Sequence, residues 1–342
     1  MNKFFLFVVI LTSGKMGFAQ IPAGYYNTAE NLSGEPLREA LYSVINGHSV
    51  KDYATLWGYF QATDNNGGIV WDMYTDNPSG STTYTYNFGS DQCGNYNAEG
   101  DCFNREHSFP KSWFNDALPM YSDLFHLYPT DGWVNGKRGN YPYGEVNSPT
   151  YTSSNGSKLG ANIFPGYSGT VFEPIDAYKG DFARTYFYMV TRYKNISATW
   201  TSDMLSGDNL SGWAKTMLIS WDALDPVSQK EIDRNNAIHD VQGNRNPFID
   251  RPSWIDWIWG PTASVSDMEN PQLRIYSING LLHINNVSPK EVSLNIVNML
   301  GVTVKEISIQ QGQSRVELDF PKGVYLASSV IEGRLYTLKF IR

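Results

Sequence analysis

Arg105, Glu106 and His107 set a cation, a carboxylate and an imidazole at consecutive positions, in a chain that has only five histidines. An imidazole with an ordinary pKa near 6.5 is largely neutral at physiological pH and can take a proton from water. Adjacent strand residues face opposite ways, so using both Glu106 and His107 in one site needs a strand end or bend. Pro110 supplies such a bend. Alone, the triplet does not define a site.

A second polar segment runs from Asp123 through His126 to Asp131, Asn135, Lys137, Arg138 and Asn140. Asp131 can cap a short helix on which Asn135 and Arg138, three apart, share a face. Hard cations such as Mg²⁺ take oxygen ligands and keep several waters, so one carboxylate and one amide oxygen are sufficient protein donors. The competing reading is a polar helix end with solvated Lys137 and Arg138, and the residues alone leave both open. His48 follows an expected helix end at Gly47 and His283 sits in a β-rich tail, so both read as structural.

These segments need elements to hold them. Leu37, Ala40, Leu41, Val44 and Ile45 have amphipathic spacing, predicting a helix over 36–46. Phe182, Tyr186, Met189, Val190 and Tyr193 predict another over 181–193, and Asp225-Pro226 reads as the cap and first position of a third through about Ile238. Residues 63–102 and 141–170, rich in Gly, Asn, Ser and Tyr, read as loops and short strands. After Pro261, period-two alternation such as Val292-Leu294-Ile296 and Tyr336-Leu338-Phe340 predicts a small β-sandwich. The expected division is a leader at 1–20, an α+β domain at 21–262 and a β-sandwich at 263–342.

The leader has Lys3, an apolar run from Phe4 to Leu11, and Gly17-Phe18-Ala19 before Gln20, as a cleaved secretory signal would. The run is far short of the roughly 20 residues a membrane helix needs. Cys93 and Cys102, the two cysteines, are then expected to pair outside the cytoplasm, closing a short loop and stabilising by roughly 2.5 kcal/mol. Over 342 residues, 34 acidic side chains against 26 basic give a net charge of −8, which excludes a uniformly basic surface for polyanions. Residues 263–342 hold 8 basic and 7 acidic residues, so the acidic surplus lies in the preceding domain. Apolar residues at 41% and charged residues at 18% exclude a disordered chain.

The run Cys102-Phe-Asn-Arg-Glu-His-Ser-Phe-Pro-Lys-Ser-Trp113, the segment His126-Leu to Val134-Asn-Gly-Lys-Arg-Gly-Asn140, and the later Tyr178-Lys-Gly-Asp-Phe-Ala-Arg184 and Gln242-Gly-Asn-Arg-Asn-Pro resemble the bacterial endonuclease I family. Four motifs in the expected order span about 22–262. The resemblance implies a ββα-metal, or His-Me finger, site. Glu106 and Asn135 would hold one divalent ion, Mg²⁺ with Ca²⁺ or Mn²⁺ as substitutes, and His107 would be the general base. It further implies nonspecific cleavage of DNA, with RNA as a second substrate, to 5′-phosphate ends. The family commonly carries an Asn, after a His, at the position of His126, and this departure leaves His126 without an assigned role. Arg105, Lys137, Arg138 and Arg184 are the candidate phosphate contacts, with Arg184 and Arg245 equally readable as buried partners of acids.

The tail, through Val297-Asn-Met-Leu-Gly-Val, Leu318-Asp-Phe-Pro-Lys-Gly-Val-Tyr-Leu and Lys339-Phe-Ile-Arg342, resembles a C-terminal sorting domain of the type IX secretion system. That resemblance implies export to the medium or cell surface with the secretion machinery as partner. A monomer is expected. The competing class is a secreted glycan-binding or adhesion protein with a decayed nuclease motif, which would leave supercoiled plasmid intact in Mg²⁺.

Overall fold

The computed structural model describes residues 21–260, 272–278, 281–298, 301–321, 323–331 and 334–341. The expected leader cleavage and the join at 261–271 lie outside them. The first part mixes helices and short sheets. Its elements in chain order are α1 (Gly34–Ile45), α2 (Leu56–Thr63), β1 (Phe103–His107), β2 (Leu127–Asp131), α3 (Gly132–Arg138), β3 (Val146–Thr152), β4 (Lys158–Asn162) and β5 (Thr170–Glu173). Then follow α4 (Lys179–Arg192), α5 (Gly212–Leu224), α6 (Gln229–Gln242) and α7 (Ser253–Trp259). β1 and β2 form an antiparallel pair, and β3, β4 and β5 a three-stranded antiparallel sheet. The region 141–170, expected to hold loops and short strands, carries most of the three-stranded sheet.

α4 is the centre of this part. The pattern predicted an amphipathic helix, but all fourteen residues of α4 are buried. A helix buried all round must neutralise its polar residues. Lys179 pairs with Glu173 at 2.7 Å, Asp181 with Lys230, and Arg192 donates to His48 Nδ1 at 3.1 Å. The apolar residues of α4 join Leu37, Leu41 and Ile45 of α1, Phe60 of α2, and Met217, Leu218 and Trp221 of α5 in one core.

The third helix begins later than the sequence predicted. Ser228 caps α6, accepting from Glu231 N–H while the Glu231 side chain accepts from Ser228 N–H, so two free backbone donors are satisfied at once. Asp225 does not cap α6 but closes α5, its N–H donating to the Trp221 carbonyl. Its Oδ2 accepts the Gly180 N–H at 2.9 Å, where a side chain on Gly180 would lie 1.9 Å from the Asp225 carbonyl.

The second part has two antiparallel sheets. β6 (Leu273–Ile278), β7 (Leu281–Asn286) and β10 (Gly312–Glu317) form one in the order β6-β7-β10. β8 (Val292–Asn298), β9 (Thr303–Ile309), β11 (Val324–Ile331) and β12 (Arg334–Ile341) form the other in the order β9-β8-β11-β12. Leu273, Ile275, Leu282 and Ile284 of the first meet Leu294, Ile296, Ala327 and Phe340 of the second in a core of their own. Among the described residues no helix is long and apolar enough to cross a membrane.

Candidate active site

β1, β2 and α3 run as hairpin then helix, with Glu106 opposite Tyr128 and His107 opposite Leu127. Every residue of β2 is buried, so this hairpin is anchored in the core rather than laid on it. Asp131 turns the chain into α3. One carboxylate oxygen caps the helix at Val134 N–H, 2.8 Å away, and the other accepts from the Tyr84 and Tyr86 hydroxyls and Gly100 N–H. Gly100 lies in the loop closed by the Cys93–Cys102 disulfide. From the same loop, Tyr96 lies across α3 where Gly132 and Gly136 leave room, and a side chain at either would collide with its ring.

β1 keeps its alternation. Asn104 and Glu106 face α3, whereas Arg105 and His107 both meet the ring of Tyr53. Glu106 is buried, and among the described residues Oε1 takes both of its side-chain partners, the Tyr74 hydroxyl at 3.0 Å and Arg138 Nη1 at 3.1 Å. Tyr143 in turn meets Tyr74, hydroxyl to hydroxyl, at 3.0 Å. Burial pushes the Glu106 carboxyl up, and the Arg138 guanidinium and Tyr74 hydroxyl pull it back. Asn135 is half-buried and donates its amide N–H to Asn104 Oδ1 at 2.6 Å. Its own Oδ1 is thereby left for another partner. Glu106 Oε2 and Asn135 Oδ1 thus make one carboxylate and one amide oxygen, a donor set that suits a hard divalent cation with water filling the remaining positions. No group of three or more His, Cys, Asp or Glu able to hold a metal forms among the described residues.

His107 is 5% exposed. Its Nε2 lies 3.0 Å from the Tyr121 carbonyl, which can only accept, so Nε2 carries the proton and Nδ1 the lone pair. The ring stacks on Tyr121, centroids 5.2 Å apart, and on Tyr53 at 5.7 Å. Burial, then the neighbouring His126, Lys111 and Arg105, hold the imidazole well below its ordinary value. It stays neutral and able to accept a proton.

The four expected phosphate contacts divide. Arg105 is half-buried, its guanidinium 3.8 Å over Tyr53 and 4.4 Å over Trp57, with Nη1 donating to the Tyr53 carbonyl at 2.6 Å. Lys137 is half-buried over Trp133 at 4.5 Å and has no ion-pair partner among the described residues. Arg138 does not fit the expectation. It is fully buried, donating to the carbonyls of His107 at 2.9 Å and of Ser108 as well as pairing with Glu106, so it fastens the end of β1. Arg184 does not fit either. It is buried in a two-pronged pair with Glu231 at 2.5 and 2.9 Å, and donates to Asp222 at 2.6 Å. Both guanidiniums are consumed by partners that a phosphate would have to displace. Arg245 is likewise buried against Asp250.

His126 is fully buried, Nε2 2.7 Å from the Met120 carbonyl and its ring 5.4 Å from that of His107. Burial lowers its pKa. Beside it Asp123, although buried, is held down at about 2 by His48, His126 and the hydrogen bonds from Gln242 and Phe125. Sequence reasoning missed Asn104, Tyr74 and the Tyr121 carbonyl. Asn104 had a signal, being two residues before Glu106 on the same strand face, whereas Tyr74 is 32 residues away and had none.

A family model described as endonuclease I matches residues 33–253. An extracellular ribonuclease of Bacillus amyloliquefaciens is 36% identical over 246 residues, 69% of this chain and 78% of that protein. The extracellular ribonuclease of Bacillus subtilis is 32% identical over the same shares. A periplasmic deoxyribonuclease of Aeromonas hydrophila is 29% identical over 132 residues, 39% of this chain and 48% of that protein. Among solved structures, a DUF3244-family protein of Bacteroides vulgatus with an immunoglobulin-like β-sandwich aligns with 21% of this chain and 83% of its own, at 22% identity and a TM-score of 0.19, too low to bear on the argument.

Proposed function

The chain belongs to the endonuclease I family and is a nuclease, and from that premise we propose that it is a secreted, divalent-metal-dependent endonuclease of low sequence preference, built on a ββα-metal site. The observation that carries this reading is the placement of Glu106, His107 and Asn135 on one hairpin and the helix that follows it. DNA and RNA are both candidate substrates, since relatives are named for each. The names of these relatives, extracellular and periplasmic, agree with export. We read residues 21–262 as the catalytic domain and 263–342 as a β-sandwich that addresses the protein to the type IX machinery.

Glu106 and Asn135 would hold the cation, Mg²⁺ by the hardness of their oxygens. When bound, the ion supplies a Lewis acid for the charge that develops on the phosphate and the leaving 3′ oxygen. His107 takes the proton from the attacking water through Nδ1, because Nε2 is committed to the Tyr121 carbonyl. Tyr74 and Arg138 fix Oε1 of Glu106, which leaves Oε2 for the ion. Glu106 and His107 are consecutive at the end of β1 but face opposite ways, so the scissile phosphate would have to lie across the strand end to reach both. Arg105 and Lys137 remain the candidate phosphate contacts.

The test is nicking of supercoiled plasmid, and cleavage of a single-stranded RNA, in Mg²⁺ and after chelation. Chelator-sensitive cleavage with 5′-phosphate ends is the expected result. Intact plasmid and RNA in Mg²⁺ would sink the proposal in favour of a surface binding protein.

A further inference from the structure

A side-chain amide presents two chemically opposite atoms to whatever lies beside it, and a hard cation accepts only the oxygen. Nothing in an asparagine itself decides which atom points where. At Asn135 the decision is made from outside: its Nδ2 lies 2.6 Å from Asn104 Oδ1. An amide oxygen only accepts, so it selects the NH₂ end of Asn135 and turns Oδ1 the other way. Asn104 is well placed for this. It stands two residues before Glu106 on the α3-facing side of β1, opposite Thr130 of β2, so the hairpin that carries Glu106 also carries the group that orients Asn135.

We propose that Asn104 is a positioning residue that fixes the amide of Asn135 with its oxygen toward the divalent cation. The proposal rests on the metal reading above, in which Asn135 is a ligand. It deepens that reading by assigning a residue outside the donor set, since Asn104 contributes no atom to the ion. The arrangement matches that of Glu106, where Tyr74 and Arg138 both occupy Oε1 and leave Oε2. Each ligand is thus held by one of its two polar atoms.

The role makes a chemical demand that a merely structural asparagine would not. Aspartate at 104 can only accept and so preserves the selection, whereas leucine, of similar size, removes it. The probe is Mn²⁺ alone, titrated calorimetrically into the full chain and into the Asn104→Asp, Asn104→Leu and Asn135→Ala variants, each first shown by circular dichroism to melt cooperatively. Removal of such an outer partner weakens binding by roughly 10- to 100-fold. We expect Asn104→Leu to lose that much Mn²⁺ affinity and Asn104→Asp to keep the wild-type affinity or exceed it. Single-turnover cleavage at saturating Mn²⁺ should return Asn104→Leu close to the wild-type rate. Wild-type affinity in Asn104→Leu overturns the proposal, as does an equal loss in both Asn104 variants, because the second result means that Asn104 donates rather than accepts. If Asn135→Ala binds Mn²⁺ as the wild type does, the metal reading itself falls.

Discussion

His107 and Glu106 are neighbours in the chain with different proposed tasks, and single substitutions should separate them. Glu106→Ala and Asn135→Ala are expected to lose metal and activity together. His107→Ala should keep the ion and lose roughly 10²–10⁴-fold in turnover, the span of a general base. Calorimetric titration beside single-turnover cleavage decides this, and loss of the ion in His107→Ala would contradict the base assignment. The same residue, as the proposed base, should set the acid limb of activity. Because burial holds its pKa well below the ordinary value, the neutral form persists as pH falls past 6.5, and activity should decline only further into the acid range. Protonation removes the lone pair, so the decline is with falling pH, and His107→Ala should flatten it. A limb centred at or above 6.5 would show that another group titrates.

At the scale of elements, the segment Val134-Asn-Gly-Lys-Arg contains two cations that substitution should distinguish. Arg138→Ala strands the buried Glu106 and frees the carbonyls of His107 and Ser108, for which a loss of about 3–5 kcal/mol is expected in denaturant melts. Lys137→Ala should leave the melt unchanged and lower the salt dependence of nucleic-acid binding by about one unit of slope. Equal stability of the two variants would contradict the division. The turn between α5 and α6 gives a pH prediction. Burial, and then the charge of Asp181, raise Asp225 to about 7. The folded chain therefore holds a proton that the unfolded chain releases at ordinary carboxylate values, and stability is lost as pH rises toward and through 7. Asp225→Asn should melt higher than wild type above pH 7, with the advantage shrinking by pH 5. An advantage independent of pH would mean that the charge is not the cause. Both cases mark the limit of the sequence. The 3.6-residue apolar period gave α1 and α4 within a few residues. What the pattern could not report is where a charge on a helix finds its partner: Arg184 meets Glu231 across 47 positions and Glu106 meets Arg138 across 32, and only packing brings them together.

Over the whole molecule, the described residues hold two large apolar clusters with no residue in common. Each part buries a core of its own, which is the physical requirement for a unit that folds separately. A chain ending at 262 should therefore cleave plasmid at the rate of the full protein, with export lost when the tail is removed in cells. A truncated chain that is well folded and inactive would place the tail inside the enzyme. The period-two alternation after Pro261 was sufficient to foresee strands there, because strands such as β8 and β11 bury alternate residues. The short strands expected within 141–170 are present, but their bounds were not legible, because Val146–Thr152 is exposed along most of its length and carries no apolar stripe.

The carbonyl that holds His107 belongs to the main chain at Tyr121. Every amino acid supplies that oxygen. The tautomer of His107 is therefore encoded in the path of the backbone through residues 120–122 and not in the identity of any codon there. A substitution at 121 can alter the ring stacked on the imidazole, yet so long as the path survives it cannot delete the acceptor. The least replaceable partner of the proposed base is in this way sheltered from point mutation, and sequence drift at position 121 is free to tune the packing of the histidine without misdirecting its lone pair.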